Sequence, residues 1–189
     1  MNNQIIILCG FSSSGKDTIA KVLENQYGYN FVVSTTTRPI RDGESDRNPY
    51  NFINNNSFEK LISNDGLIEY REYHTLVQNK PETWYYGVEK SEISPENKYV
   101  VVLDIVGLLG FKEHFNDRII SFFIDVDDQV RKNRCISRGD FDEFEWNRRL
   151  SDDKEKFTKD VINKEIDYVI DGNNKTDKID ETIIQKIKQ

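Results

Sequence analysis

The stretch Ile5–Thr18, IIILCGFSSSGKDT, decides the architecture of this chain. Five apolar residues in a row, with no polar alternation, read as a strand buried on both faces, the habit of a parallel sheet. Gly10-Phe11-Ser12-Ser13-Ser14-Gly15-Lys16 follows at once and satisfies G-x-x-x-x-G-K, ahead of an amphipathic helical pattern over Lys16–Gln26. The glycines let the backbone curl so that the amides of Ser12, Ser13 and Ser14 point at one phosphate. The helix N-terminus adds positive potential, and Lys16 reaches the outer phosphate oxygens. The residue after the lysine is Asp17 rather than the usual hydroxyl. Either Asp17 holds Mg²⁺, directly or through water, or Thr18 supplies a hydroxyl to a phosphate and Asp17 turns away.

Outward from this stretch, apolar runs alternate with amphipathic ones. Val100–Asp104, Ile119–Asp125 and Tyr168–Asp171 read as further buried strands. Helices are predicted over Gly107–Phe115, Asp127–Ser137 and Thr176–Lys188, with Asp127 and Asp128 suited to a helix start. The expected fold is α/β, a three-layer sandwich around a parallel sheet. Residues 34–88 break the alternation with strand-like pieces at Tyr50–Ile53, Leu67–Tyr73 and Trp84–Val88 and a short helix near Phe58–Ser63, and read as an inserted β-rich subdomain. RGDFDEFEW, residues 138–146, reads as a mobile acidic excursion before a long helix. Asp104, ending the strand Val100–Asp104, is placed to anchor Mg²⁺-bound water near the loop, or alternatively to cap the next helix.

Composition narrows the function classes. With 189 residues there is material for one core and a small subdomain. The net charge of −7 speaks against general affinity for nucleic acid or an acidic membrane, so any phosphate site must be a local concentration of positive charge. Cys9 and Cys135 fall in no metal-spaced or CxxC set and read as reduced thiols; His74 and His114 are isolated. MNNQIIILCG lacks the basic start and long apolar run of a signal peptide, and Tyr99–Leu103 is too short to span a bilayer. A cytoplasmic protein is expected.

Two further clusters carry chemistry. Ser34–Phe52, STTTRPIRDGESDRNPYNF, sets Arg38, Arg41 and Tyr50 in a turn-rich loop; guanidinium forks and a phenol are good donors to a phosphate dianion. Arg134 and Arg138 lie four apart on one helix, with Arg149 beyond the acidic stretch, and Arg131 and Arg148 as lesser neighbours. S-x-x-x-R-x-x-R-x-G-E followed by Y-x-F, then R-x-x-x-R-G and R-R-L, resembles the guanylate kinase family from Ile5 to the last helix.

That resemblance implies a P-loop nucleoside monophosphate kinase that moves the γ-phosphoryl group of ATP, with Mg²⁺, to GMP or dGMP. It implies a core of residues 1–33, 89–133 and 150–189, an acceptor subdomain of 34–88 and a lid of 134–149. Gly10, Ser12, Ser13, Ser14, Gly15, Lys16, Asp17 and Thr18 would then hold ATP. Ser34, Arg38, Arg41, Tyr50, Glu69, Tyr86 and Asp104 would hold the acceptor. Lys16, Arg134, Arg138 and Arg149 would serve catalysis, with Asp17 and Asp104 near the metal. Glu69 suits guanine, because a carboxylate accepts from two adjacent N–H donors and Ser34 can donate to the base oxygen. Adenine contacts are sought at Asp171–Asn173. Val88 stands where the family has a hydroxyl, Val106 where it usually has a second acid, and the stretch between Glu69 and Tyr86 is about eight residues longer than usual. These departures leave open another nucleoside monophosphate as acceptor. A non-catalytic phosphoprotein-binding module of guanylate kinase type is the rival from a different class. The chain is expected to act as a monomer or homodimer.

Overall fold

Strand β1 (Ile5–Cys9) is central because both its faces are apolar: Ile5, Ile7 and Cys9 enter one core while Ile6 and Leu8 enter another. In the computed structural model, which describes residues 5–41, 43–77, 80–139, 141–173 and 176–188, the elements after β1 are as follows. The first part of the chain gives α1 (Lys16–Tyr27), β2 (Asn30–Phe31), β3 (Thr35–Thr36), β4 (Asn51–Phe52), α2 (Asn55–Ser63), β5 (Leu67–Val77) and β6 (Lys80–Glu89). The remainder gives β7 (Tyr99–Val102), α3 (Ile105–Phe115), β8 (Ile119–Asp125), α4 (Asp128–Arg138), α5 (Glu143–Lys156), α6 (Lys159–Glu165), β9 (Tyr168–Asp171) and α7 (Thr176–Ile187).

The larger sheet is parallel throughout, in the order β2-β7-β1-β8-β9. One face packs α1 and α7 through Ile19, Leu23, Ile179 and Ile183; the other packs α3 through Leu108 and Phe111, with Phe157 and Ile166. Helices on both faces satisfy a sheet whose strands are apolar all round, and the three layers expected from sequence follow.

The second sheet, β4-β3-β6-β5, lies between residues 35 and 89 and is mixed, with β3–β4 parallel and β3–β6 and β5–β6 antiparallel. The lengthened stretch after Glu69 is a continuation of this hairpin: Tyr73 pairs with Trp84, their rings stacked 6.0 Å apart, and Thr75 pairs with Glu82.

Two expectations are corrected. The strand expected at Val100–Asp104 stops at Val102, and the helix expected from Gly107 begins at Ile105, because the Asp104 carboxylate accepts the Gly107 N–H at 3.1 Å and caps it. Of the excursion expected at 138–146, residues 143–146 are helical. Helix α4 runs through Arg138 to Gly139, and Asp142 starts α5 by accepting the Glu145 N–H at 2.7 Å. Acidic residues that read as a polar loop are first-turn residues of a helix, where they complement its dipole.

Candidate active site

The loop after β1 bends hard against β8. Gly10 sits at φ +148°, and a Cβ there would fall 2.8 Å from the Ile124 carbonyl oxygen, so backbone shape and space both demand glycine. Gly15, at φ +96°, turns the chain into α1. Inside the loop, Lys16 Nζ donates to the carbonyls of Gly10 (2.8 Å) and Phe11 (2.9 Å) and to Ser14 Oγ (3.3 Å). Burial pushes the lysine's pKa down, while Asp17 and Asp153 push it up. The Ser12 N–H donates to a carboxylate oxygen of Asp153 at 2.6 Å, so at least one loop amide already holds an anion.

Asp17 and Thr18 are exposed on the first turn of α1. No cluster of three or more His, Cys, Asp or Glu exists among the described residues to cage a metal. The Asp17 side chain is open to solvent, whereas Asp104 Oδ1 takes the Gly107 N–H and an Nη1 hydrogen bond from Arg71, and Oδ2 faces Lys156 at 3.5 Å.

Helix α4 brings two of the three expected arginines to the loop. Arg134 donates to the carbonyls of Ser14 and Gly172, each at 2.9 Å, and Arg138 donates to Ser13 Oγ at 3.1 Å. Arg149 is held elsewhere, on α5, with Nε donating to Glu145 at 2.6 Å. Arg131 is fully buried. It donates to the Ser12 carbonyl at 2.9 Å and lies over the rings of Phe11 and Trp146, bracing the loop from behind. Arg148 pairs with Glu145 and Asp152 and covers Tyr73. The Asp171–Asn173 turn closes on itself through Asn173, whose N–H donates to Asp171, and Arg134 links the Gly172 carbonyl to the loop.

Across from the loop, Arg38 is 4% exposed and grips Glu44 with two bonds of 2.9 Å, between the rings of Tyr50 and Phe52. Arg41 offers its N–H to the same Glu44 and leaves its side chain exposed. Tyr50 and Tyr86 meet edge to face, centroids 5.8 Å apart. Burial raises the Tyr50 pKa; Tyr86 and Asp17 raise it further, and Arg38 and Arg71 lower it. Its phenol is thus sensitive to charge from Asp17 at the start of α1, from Arg38 and from Arg71 on β5.

Ser34 lies between β2 and β3, its carbonyl accepting the Asn51 N–H at 3.0 Å. Val88 is wholly buried in the core with Val32, Leu103 and Leu108. Glu69 is 6% exposed, and neither carboxylate oxygen has a hydrogen-bond partner. Burial lifts its pKa to about 7 against the opposing pull of Arg71. Sequence reasoning passed over Arg71. The available signal was its place two residues after Glu69 on one strand, which puts both side chains on the same face.

The guanylate kinase family model matches residues 2–189. A curated guanylate kinase from Chlorobium luteolum is 33% identical over 154 residues, 78% of this chain and 74% of the relative. One from Fusobacterium nucleatum is 28% identical over 173 residues, 86% and 89% of the two chains. The match to one from Clostridium tetani, 33% identical, spans 71% of this chain and only 63% of that relative. The solved guanylate kinase of Anaplasma phagocytophilum shares the fold, with a TM-score of 0.63, 24% identity, and 99% and 85% coverage of the two chains. A motif of the required spacing and a family match over nearly the full length agree: this chain belongs to the guanylate kinase family.

Proposed function

We propose that the protein phosphorylates GMP or dGMP with ATP. An oxygen of the acceptor 5′-phosphate attacks the γ-phosphorus in line, the bond from that phosphorus to the β–γ bridging oxygen breaks, and ADP leaves beside (d)GDP. The observation that carries the reading is the glycine loop closed around Lys16 Nζ, together with a second cationic cluster in which buried Arg38 lies between the rings of Tyr50 and Phe52. An acceptor phosphate held there is presented to the glycine loop, and positioning of this kind supplies most of what phosphoryl transfer needs.

In this reading Lys16 and the amides from Gly10 to Gly15, with Asp17 and Thr18, hold the donor. Lys16 leaves its loop carbonyls for phosphate oxygens, and the donor displaces Asp153 from Ser12. Arg38, Arg41, Tyr50 and Tyr86 hold the acceptor phosphate. Ser34 and Glu69 read the base, with Asp104 fixing the charge balance beside them. Arg134 and Arg138 neutralise charge at the loop, and Arg149 joins them by leaving Glu145 as the lid, residues 134–149, closes. Asp17 and Asp104 would hold Mg²⁺, directly or through water, and the ion would screen the charge of the triphosphate. No general base is required.

In this reading the protein acts in purine nucleotide metabolism in the cytoplasm, as a monomer or homodimer, with nucleotides as partners. The acidic net charge disfavours nucleic acid or an acidic membrane surface as a partner. Burial of Val88 in the core favours no other acceptor, and the intact glycine loop with Lys16 argues against a binding module. ADP release measured over a panel of nucleoside monophosphates tests the proposal. Turnover with GMP and dGMP is expected; equal or better turnover with a pyrimidine would overturn it.

A further inference from the structure

Glu69 poses a physical problem that the reading above does not resolve. A carboxylate with both oxygens shielded and unbonded is strongly disfavoured in its ionised form, and the common outcome is that it takes up a proton. A protonated Glu69 would lose its acceptor-only character and offer guanine's two N–H groups a poorer partner. Among the described residues, two charges reach it. Arg71 Nη1 stands 3.6 Å from Oε2, and Asp104 opposes it from the start of α3. Strand β6 sets apolar Val88 opposite it, and α3 meets it at Gly110, where a Cβ would fall 2.8 Å from the Glu69 Cβ. Arg71 is fixed in turn by Asp104, over Gly107, so it sits near Glu69 without spending the carboxylate's hydrogen-bonding capacity.

We propose that Arg71 is a positioning residue for base recognition: tethered by Asp104, its guanidinium supplies the positive charge that lets Glu69 remain an ionised, unoccupied acceptor pair for guanine. The inference rests on the acceptor reading given above and adds to it a residue outside the phosphate clusters. Three features make the arrangement specific. Arg71 shares a strand face with Glu69; its counter-charge, Asp104, is itself held by the helix cap; and Lys156 faces the other Asp104 oxygen, so the net field at Glu69 is not dominated by a second acid.

The test is the KM for GMP from pH 6 to pH 9 in wild type, Arg71→Met, Arg71→Lys and the double variant Glu69→Gln/Arg71→Met beside Glu69→Gln. An opposite charge at this range moves a carboxylate by about one to three pH units, so Arg71→Met is expected to raise KM at pH 7 by about fivefold or more. Most of that loss should recover by pH 9, with kcat changed much less than KM. Titration of the GMP phosphate is common to all variants and cancels in the comparison. Arg71→Lys should restore the wild-type profile, and in the Glu69→Gln background the Arg71 substitution should add nothing.

A KM unchanged in Arg71→Met, or one raised equally at every pH, overturns the proposal, as does a full additional loss in the double variant. If Arg71→Met does not fold, Arg71→Gln carries the same comparison. The wild-type profile is decisive in either case: a KM that does not rise toward pH 6 beyond the phosphate's own titration also refutes it. Absence of wild-type turnover with GMP would instead refute the acceptor reading, so the two failures are told apart.

Discussion

Replacing Glu69 by Gln should make the empty protein more stable at alkaline pH while weakening its affinity for GMP. Burial raises the Glu69 pKa from the ordinary 4.5 to about 7, so in the interval between these values the folded state holds a proton that the unfolded chain has released. Stability therefore falls as pH rises through that interval. At about 1.4 kcal/mol for each pH unit, the full penalty is about 3 kcal/mol above pH 8, of which roughly 1 kcal/mol is already present at pH 5. The side chain is almost wholly buried, so little of this is screened by solvent. Gln cannot ionise, and the gap between variant and wild type should widen by about 2 kcal/mol from pH 5 to pH 8. Urea denaturation at the two pH values reads this difference directly. Because the change with pH is compared, the packing of the Gln amide cancels. A gap that stays constant with pH, or that narrows toward pH 8, would refute the claim that Glu69 is held charged against its surroundings. Retention of wild-type KM for GMP would refute its role in base recognition.

Other outcomes follow from the same geometry. Lys16→Ala should lower kcat by about a hundredfold or more, the usual cost of one preorganised donor at a developing charge, in steady-state assays at saturating ATP. Glu145, whose pKa hydrogen bonds from Arg148 and Arg149 pull down to about 2, adds stability that is complete above the ordinary carboxylate range and lost as pH falls toward 2. Because that cluster is exposed, Glu145→Gln should cost less than about 1 kcal/mol in a thermal melt at pH 7. Cys9 is fully buried, and burial pushes its thiol to about 12, so iodoacetamide at pH 8 should spare it in the native protein and modify it only in denaturant, as peptide mapping would show.

The core and the glycine loop between β1 and α1 were legible because their signals are local. An unbroken apolar run such as Ile5–Cys9 can only be a strand covered on both faces, and a glycine-bounded loop before Lys16 has few uses in that position. The strands Ile119–Asp125 and Tyr168–Asp171 fall where the sequence places them. What misled was capping. Asp104 and Asp142 begin helices, and their short-range bonds to Gly107 and Glu145 move the boundaries of α3 and α5 by several residues. Long-range geometry was not legible at all. Nothing in the order of residues says that Arg131 braces the loop through Ser12 or that Asp153 reaches the Ser12 amide 141 positions away. Nor does it say that Arg149 pairs with Glu145 instead of meeting the loop. The pairing of Arg71 with Asp104 likewise depends on how β5 of the second sheet lies against α3.

The central claim is that two anion sites face each other closely enough for direct transfer, and a single ligand spanning both sites measures that. Adenosine and guanosine joined 5′ to 5′ through five phosphates should bind, by isothermal titration with Mg²⁺, at least about a hundredfold more tightly than ATP or GMP alone. Lys16→Ala and Arg38→Ala should each remove most of that gain. Affinity no better than that of the single nucleotides, or a gain lost in one variant and untouched in the other, would contradict the facing arrangement.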